Sequence, residues 1–228
     1  MTRPFVIFVL ALTLYVPVVL LADSAGLVPQ LALGSTTAMV LWLVARRGTV
    51  ERRQIVAAVI VAAIGECILS LGWGLYHYRN AVIPLYVFFG HGIFYALAAE
   101  SAQQRALQRI APAIIRGVLI GGAVIAAATL VLYNDTWGLL WWVIAAVLII
   151  RSGNQLLLSM CFVYTMLLEW LGTAIGNWTW VAAVPYTGLT SANPPSGVGL
   201  LYVLLDLITV AIFAGRTNPG TQPAAETT

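Results

Sequence analysis

Gly65-Glu66-Cys67-Ile68-Leu69-Ser70-Leu71-Gly72-Trp73-Gly74-Leu75-Tyr76-His77-Tyr78 sets a carboxylate inside an apolar run and closes it with glycines and aromatics. An altered copy returns as Leu168-Glu169-Trp170-Leu171-Gly172-Thr173-Ala174-Ile175-Gly176-Asn177-Trp178-Thr179-Trp180. In each copy a hydroxyl follows the acid by four residues, and Gly-x-aromatic-x-aromatic follows the hydroxyl. Helical spacing of four and seven predicts one stripe of Glu66, Ser70 and Trp73, and a second of Glu169, Thr173 and Gly176. A carboxylate within hydrocarbon is costly, so an acid there marks a functional candidate.

Of the 228 residues, 61% are hydrophobic and 8% charged. A soluble domain carries about a quarter charged residues, so the chain reads as an all-α, polytopic membrane helix bundle. Apolar windows long enough to cross a ~30 Å core predict about eight spans, near 4–22, 28–46, 54–76, 82–99, 113–133, 137–150, 154–175 and 197–215. The first is longer than a signal-peptide core and lacks a good small-x-small cleavage site, so it is expected to be retained. Trp137, Trp141 and Trp142 in the short sixth window suit an interfacial belt. Cys67 and Cys161 match no metal or disulfide spacing and read as small buried hydrophobes.

All eleven basic residues are arginines. With eight spans, only Arg79 falls on the side opposite the rest, which predicts a multi-pass protein of a bacterial-type plasma membrane with both termini cytoplasmic. Residues 1–216 form one integral domain, and the Pro-rich polar segment 217–228 reads as a disordered cytoplasmic tail. Aligning Glu66 with Glu169 divides the domain near residue 110 into two parallel four-helix repeats, in which Tyr86 and Gly90 align with Tyr202 and Asp206.

Four ionisable groups fall well inside spans: Glu66, His91, Glu169 and Asp206. Their depths predict convergence on one cavity in the outer half of the bilayer. A satisfied contact between helices would explain any one of them alone. Together they suit proton transfer, with a buried neutral carboxyl as donor and an ionised neighbour as acceptor. The loop after the seventh span contains Asn193-Pro194-Pro195, which must be extended, and Ser196, placed to cap the eighth span. That loop suits a rigid re-entry turn or a lid. There is no His-x3-His or Glu-x2-His pair to suggest a metal, no phosphate-cradling loop to suggest another cofactor, and no basic-aromatic surface for nucleic acid.

Gly74-x-Tyr76-x-Tyr78 with Pro84-Leu85, and Gly176-x-Trp178-x-Trp180 with Pro194-Pro195, resemble the repeated signature of small membrane carotenoid-biosynthesis proteins. These include the membrane lycopene cyclases and the carotenoid hydratases. Glu169-x-Leu171-Gly172-Thr173-x2-Gly176 is similar to the hydratase motif, and Glu66 with Asp206 resembles the acids of small membrane terpene cyclases. The lycopene cyclases carry paired acids after the proline. Tyr86 and Ser196-Gly197 stand there instead, which argues against lycopene cyclisation itself. The resemblance implies acid-initiated chemistry on a lipophilic isoprenoid drawn from the bilayer: protonation of an alkene or epoxide, then proton loss or water addition. Glu66 or Glu169 would donate the proton. Asp206 would act as base or counter-charge, and His91 would tune them. Trp73, Tyr76, Tyr78, Trp178, Trp180, Tyr202 and Asn193 would line the substrate site, their rings steadying a cation. The alternative is a proton-coupled transporter or a lipid-binding protein using the same carboxylates.

Overall fold

The computed structural model describes residues 1–23 and 26–214. Arg216, the end of the eighth window and the tail 217–228 lie outside the described residues. The chain is helical almost throughout: α1 (Arg3–Ala22), α2 (Leu27–Arg47), α3 (Arg52–Glu66), α4 (Leu85–Gln103), a short α5 (Arg105–Arg109), α6 (Ala111–Tyr133), α7 (Thr136–Arg151), α8 (Gln155–Ile175) and α9 (Leu200–Ala214). Two three-residue strands, β1 (Tyr76–Tyr78) and β2 (Trp178–Trp180), lie at the ends of α3 and α8.

Five helical stretches are long and apolar enough to cross a membrane: Phe5–Ala22, Val28–Arg47, Arg52–Gly72, Ala111–Tyr133 and Gln155–Ile175. Thr136–Arg151 and Leu200–Phe213 are apolar but shorter. Their outer faces carry exposed Leu, Ile and Val, an arrangement that water disfavours and hydrocarbon tolerates. In the interior, α4 packs against α1, α2, α3 and α8, and α9 packs against α3, α7 and α8.

The third window does not run as one α-helix to residue 76. After Glu66 the backbone continues as a π-helical segment, Cys67–Gly72, with the Trp73 N–H donating to the Ile68 carbonyl at 2.7 Å. Bonding five residues back turns each residue less about the axis, so the expected Glu66–Ser70–Trp73 stripe is broken. Ser70 donates to the Tyr76 carbonyl instead. Gly74 then takes φ +76°, and Gly176 takes φ +79° after α8. Only glycine adopts that left-handed geometry without strain. Each glycine turns its aromatic pair back under the helix that precedes it.

The strands pair antiparallel, Tyr76 opposite Trp180, His77 opposite Thr179 and Tyr78 opposite Trp178. A strand alternates its sides, so His77 and Thr179 are exposed while the four large aromatics are buried. Those aromatics are therefore interior residues, not surface anchors. Trp137 and Trp141 are buried as well, packed on each other and on Trp73 and Trp180, so they form no interfacial belt. Cys161 is buried as expected, whereas Cys67 is exposed.

Two acids at the chain's turns were legible only as loop residues. Asp135, fully buried, accepts from the Gly138, Ala192 and Ser196 backbone N–H groups at 2.8–3.0 Å. It caps α7 and ties down the long loop before α9. Asp23, also fully buried, accepts from Gln30 and from Asn177 and so joins α1 to the turn after α8. Ser196 caps nothing, because α9 begins only at Leu200 and the Ser196 hydroxyl has no partner among the described residues.

Candidate functional site

Each carboxylate is gripped by the aromatic pair that follows it in sequence. Glu66 Oε2 accepts from the Tyr76 and Tyr78 hydroxyls, both at 2.7 Å. Glu169 Oε2 accepts from the indole N–H groups of Trp178 at 2.8 Å and Trp180 at 2.9 Å. The two grips touch through the strands: the Tyr76 ring lies 4.5 Å from that of Trp180, and the Tyr78 ring 6.0 Å from that of Trp178. Burial, and then the Glu66 charge, push the Tyr76 and Tyr78 phenol pKa values up, so both remain protonated donors.

His91, on α4, brings its Nε2 to 3.3 Å from Glu66 Oε1. Its Nδ1 lies 2.7 Å from the Val87 carbonyl. That carbonyl can only accept, so Nδ1 carries a proton and Nε2 is the ring nitrogen that faces Glu66 Oε1. The imidazole stacks on Tyr202 at 5.2 Å between ring centres. Two phenol donors fall on Oε2 and the imidazole edge lies beside Oε1, so both oxygens of Glu66 are engaged. Glu169 differs. Both its bonds fall on Oε2, and Oε1 has no hydrogen bond among the described residues, which leaves that oxygen as the place for a proton.

Glu66, His91 and Glu169 border a single cavity of about 530 Å³. Such a volume lies within the usual range of roughly 300–1,000 Å³ for small-ligand sites. The walls come from α1, α3, α4, α8 and α9 and are mostly Leu, Ile and Val, with ring faces from Tyr76, Tyr78, Tyr86, Trp178 and Tyr202. Ile64, Ile68, Leu204 and Ile208 line it and are also exposed outside, so the cavity reaches the molecular surface on the side of α3 and α9.

Four of the expected site residues stand elsewhere. Asp206 faces a separate cleft near the arginine-rich end. Leu201, Leu204, Leu205 and Ile208 define the cavity face of α9; at roughly 100° per residue, Asp206 points well away from it. Trp73 packs edge-on against Trp137 and donates to the Pro185 carbonyl at 3.0 Å, outside the cavity wall. Asn193 accepts from the Trp180 backbone N–H at 3.0 Å and so holds β2 in place. Trp180 grips Glu169 but is not in the wall. Residues that sequence reasoning missed include Tyr86, in the wall next to Asp23, and Gly172. A Cβ on Gly172 would run into the Trp178 ring. The signal for Gly172 lay in its place within Glu169-x-Leu171-Gly172-Thr173.

Among the described residues no three His, Cys, Asp or Glu side chains gather as a metal set would. No family model, curated protein or solved structure matches the chain.

Proposed function

We propose that the protein is a membrane-embedded isoprenoid-modifying enzyme, a cyclase or hydratase, in which Glu169 delivers the initiating proton. The observation that carries this reading is the contrast between two carboxyls on one apolar cavity. Glu66 has both oxygens engaged, one by two phenols and the other by the His91 imidazole, whereas Glu169 keeps one oxygen without a hydrogen bond among the described residues. Glu169 transfers its proton from Oε1 to an alkene carbon or an epoxide oxygen, and the two indole N–H groups stabilise the carboxylate left behind. The cation forms beside the faces of Tyr76, Tyr78, Trp178 and Tyr202, with the Glu66 carboxylate close by. Ring closure followed by proton loss returns the proton to Glu169. In hydration, water adds to the cation and gives up its proton to the same carboxylate. Both routes balance and regenerate the acid.

The apolar wall favours this reading over a proton-coupled transporter, which needs a wetted path. The exposed rim at α3 and α9 suits entry of a lipophilic substrate sideways from the bilayer. We further infer that the eight long helices α1–α4 and α6–α9 all cross the membrane, with both termini cytoplasmic. The arginines at the α2–α3, α4–α6 and α7–α8 turns support that orientation. Two parallel four-helix repeats are supported by exchanged packing: α3 meets α9 as α8 meets α4, and the strands between them pair.

The test is expression in cells that accumulate linear carotenoids or farnesylated aromatics, with lipid profiling. A new cyclised or hydrated isoprenoid is expected. Glu169→Gln, whose amide oxygen still accepts from both indoles, should lower its formation by about 10²–10⁴-fold. An unchanged lipid profile across all such hosts, or full product from Glu169→Gln, overturns the proposal.

A further inference from the structure

Asp206 was drawn into the chemistry by sequence reasoning, and its actual surroundings give it another role. It is 2% exposed, and it forms no hydrogen bond or ion pair among the described residues. A buried carboxylate without a partner is costly. It faces a cleft of about 650 Å³ that opens at the arginine-rich end, distinct from the Glu66–Glu169 cavity.

The cleft's charge is one-sided. Its walls include Glu51 and Asp206 but no basic residue. Two of its five carboxamides donate to backbone: Gln108 Nε2 to the Ala102 carbonyl at 3.0 Å, and Gln155 Nε2 to the Ile150 carbonyl at 2.9 Å. Their amide oxygens remain as acceptors. Thr49, Gln54, Tyr95, Gln103 and Asn154 complete the polar part of the wall. Two carboxylates, one of them buried and unpartnered, with free amide oxygens and no basic residue beside them, fit a compact cation with several N–H donors. Just outside stand exposed arginines, Arg52 and Arg53 between Glu51 and Gln54, Arg109 beside Gln108, and Arg151 before Gly153. Their exposed positive charge beside the lining residues suits a phosphate attached to that cation.

We propose that this cleft binds a primary ammonium group, carried by a phosphoethanolamine lipid headgroup or by a free amine, with Asp206 as its counter-ion. The inference stands apart from the isoprenoid reading and from Glu66 and Glu169. A trimethylated ammonium has no N–H to donate and should be rejected.

The test uses the full chain in nanodiscs of phosphatidylcholine alone or mixed with phosphatidylethanolamine, followed by delipidation and native mass spectrometry. A parallel titration uses free ethanolamine. Retention of phosphatidylethanolamine over phosphatidylcholine, lowered about tenfold or more in Asp206→Asn, supports the site with a lipid source. Ethanolamine binding that depends on Asp206, without lipid enrichment, supports it with a soluble source. Glu51→Gln, at the exposed lip, keeps the question open to test if Asp206→Asn folds poorly. It should weaken whichever ligand binds by several-fold. Absence of both kinds of binding, or binding unchanged in the variants that fold, overturns the proposal.

Discussion

At the scale of single residues, Glu66 and Glu169 occupy matching places and differ in what holds them. Phenols and an imidazole surround the first; two indoles touch one oxygen of the second. Tyr78→Phe removes a donor to a buried carboxyl group and should cost about 1–3 kcal/mol, measurable as lowered resistance to denaturation in detergent. Trp180→Phe keeps most of the ring but leaves the Glu169 anion with one N–H. Product formation should fall about tenfold while stability changes less, so turnover and unfolding measured on the same preparation separate the two roles. That both acids face the interior was readable from an apolar run interrupted by a charge. The orientation of Asp206 was not, because depth along a helix says nothing about direction around it, and its neighbours Leu205 and Ile208 claim the cavity side.

At the scale of elements, the decisive parts are the turns after α3 and α8. The helices themselves follow from apolar windows, and their order agrees with the sequence. The π-helical segment and the two strands were not legible, since a three-residue strand is fixed by a partner far away in the chain, and Tyr-His-Tyr alone does not announce Trp-Thr-Trp. Gly172 shows how tight this packing is. Gly172→Ala would drive a methyl into the Trp178 ring, so the indole must leave Glu169. The expected outcome is loss of product with a shifted tryptophan emission, checked by fluorescence and lipid profiling together. Asp135 governs the other turn. Asp135→Ala strands the Gly138, Ala192 and Ser196 N–H groups and should cost roughly 2 kcal/mol or more, seen as faster proteolysis of the 181–199 loop.

At the scale of the whole molecule, arginine placement and the exposed apolar belt make a directional statement. In a background with Cys67 and Cys161 replaced by alanine, a cysteine at Tyr186, which is 97% exposed in the long loop, should react with an impermeant maleimide added outside intact cells. A cysteine at Arg109, in the turn between α4 and α6, should react only after permeabilisation. Reversed labelling would invert the topology. The pairing of β1 with β2, and of α3 and α4 with α9 and α8, crosses from the first part of the chain to the second. Neither part encloses the acids by itself. A gene cut in the turn at Gln104 should therefore yield two polypeptides that are inert apart, yet complement each other when made in the same cell.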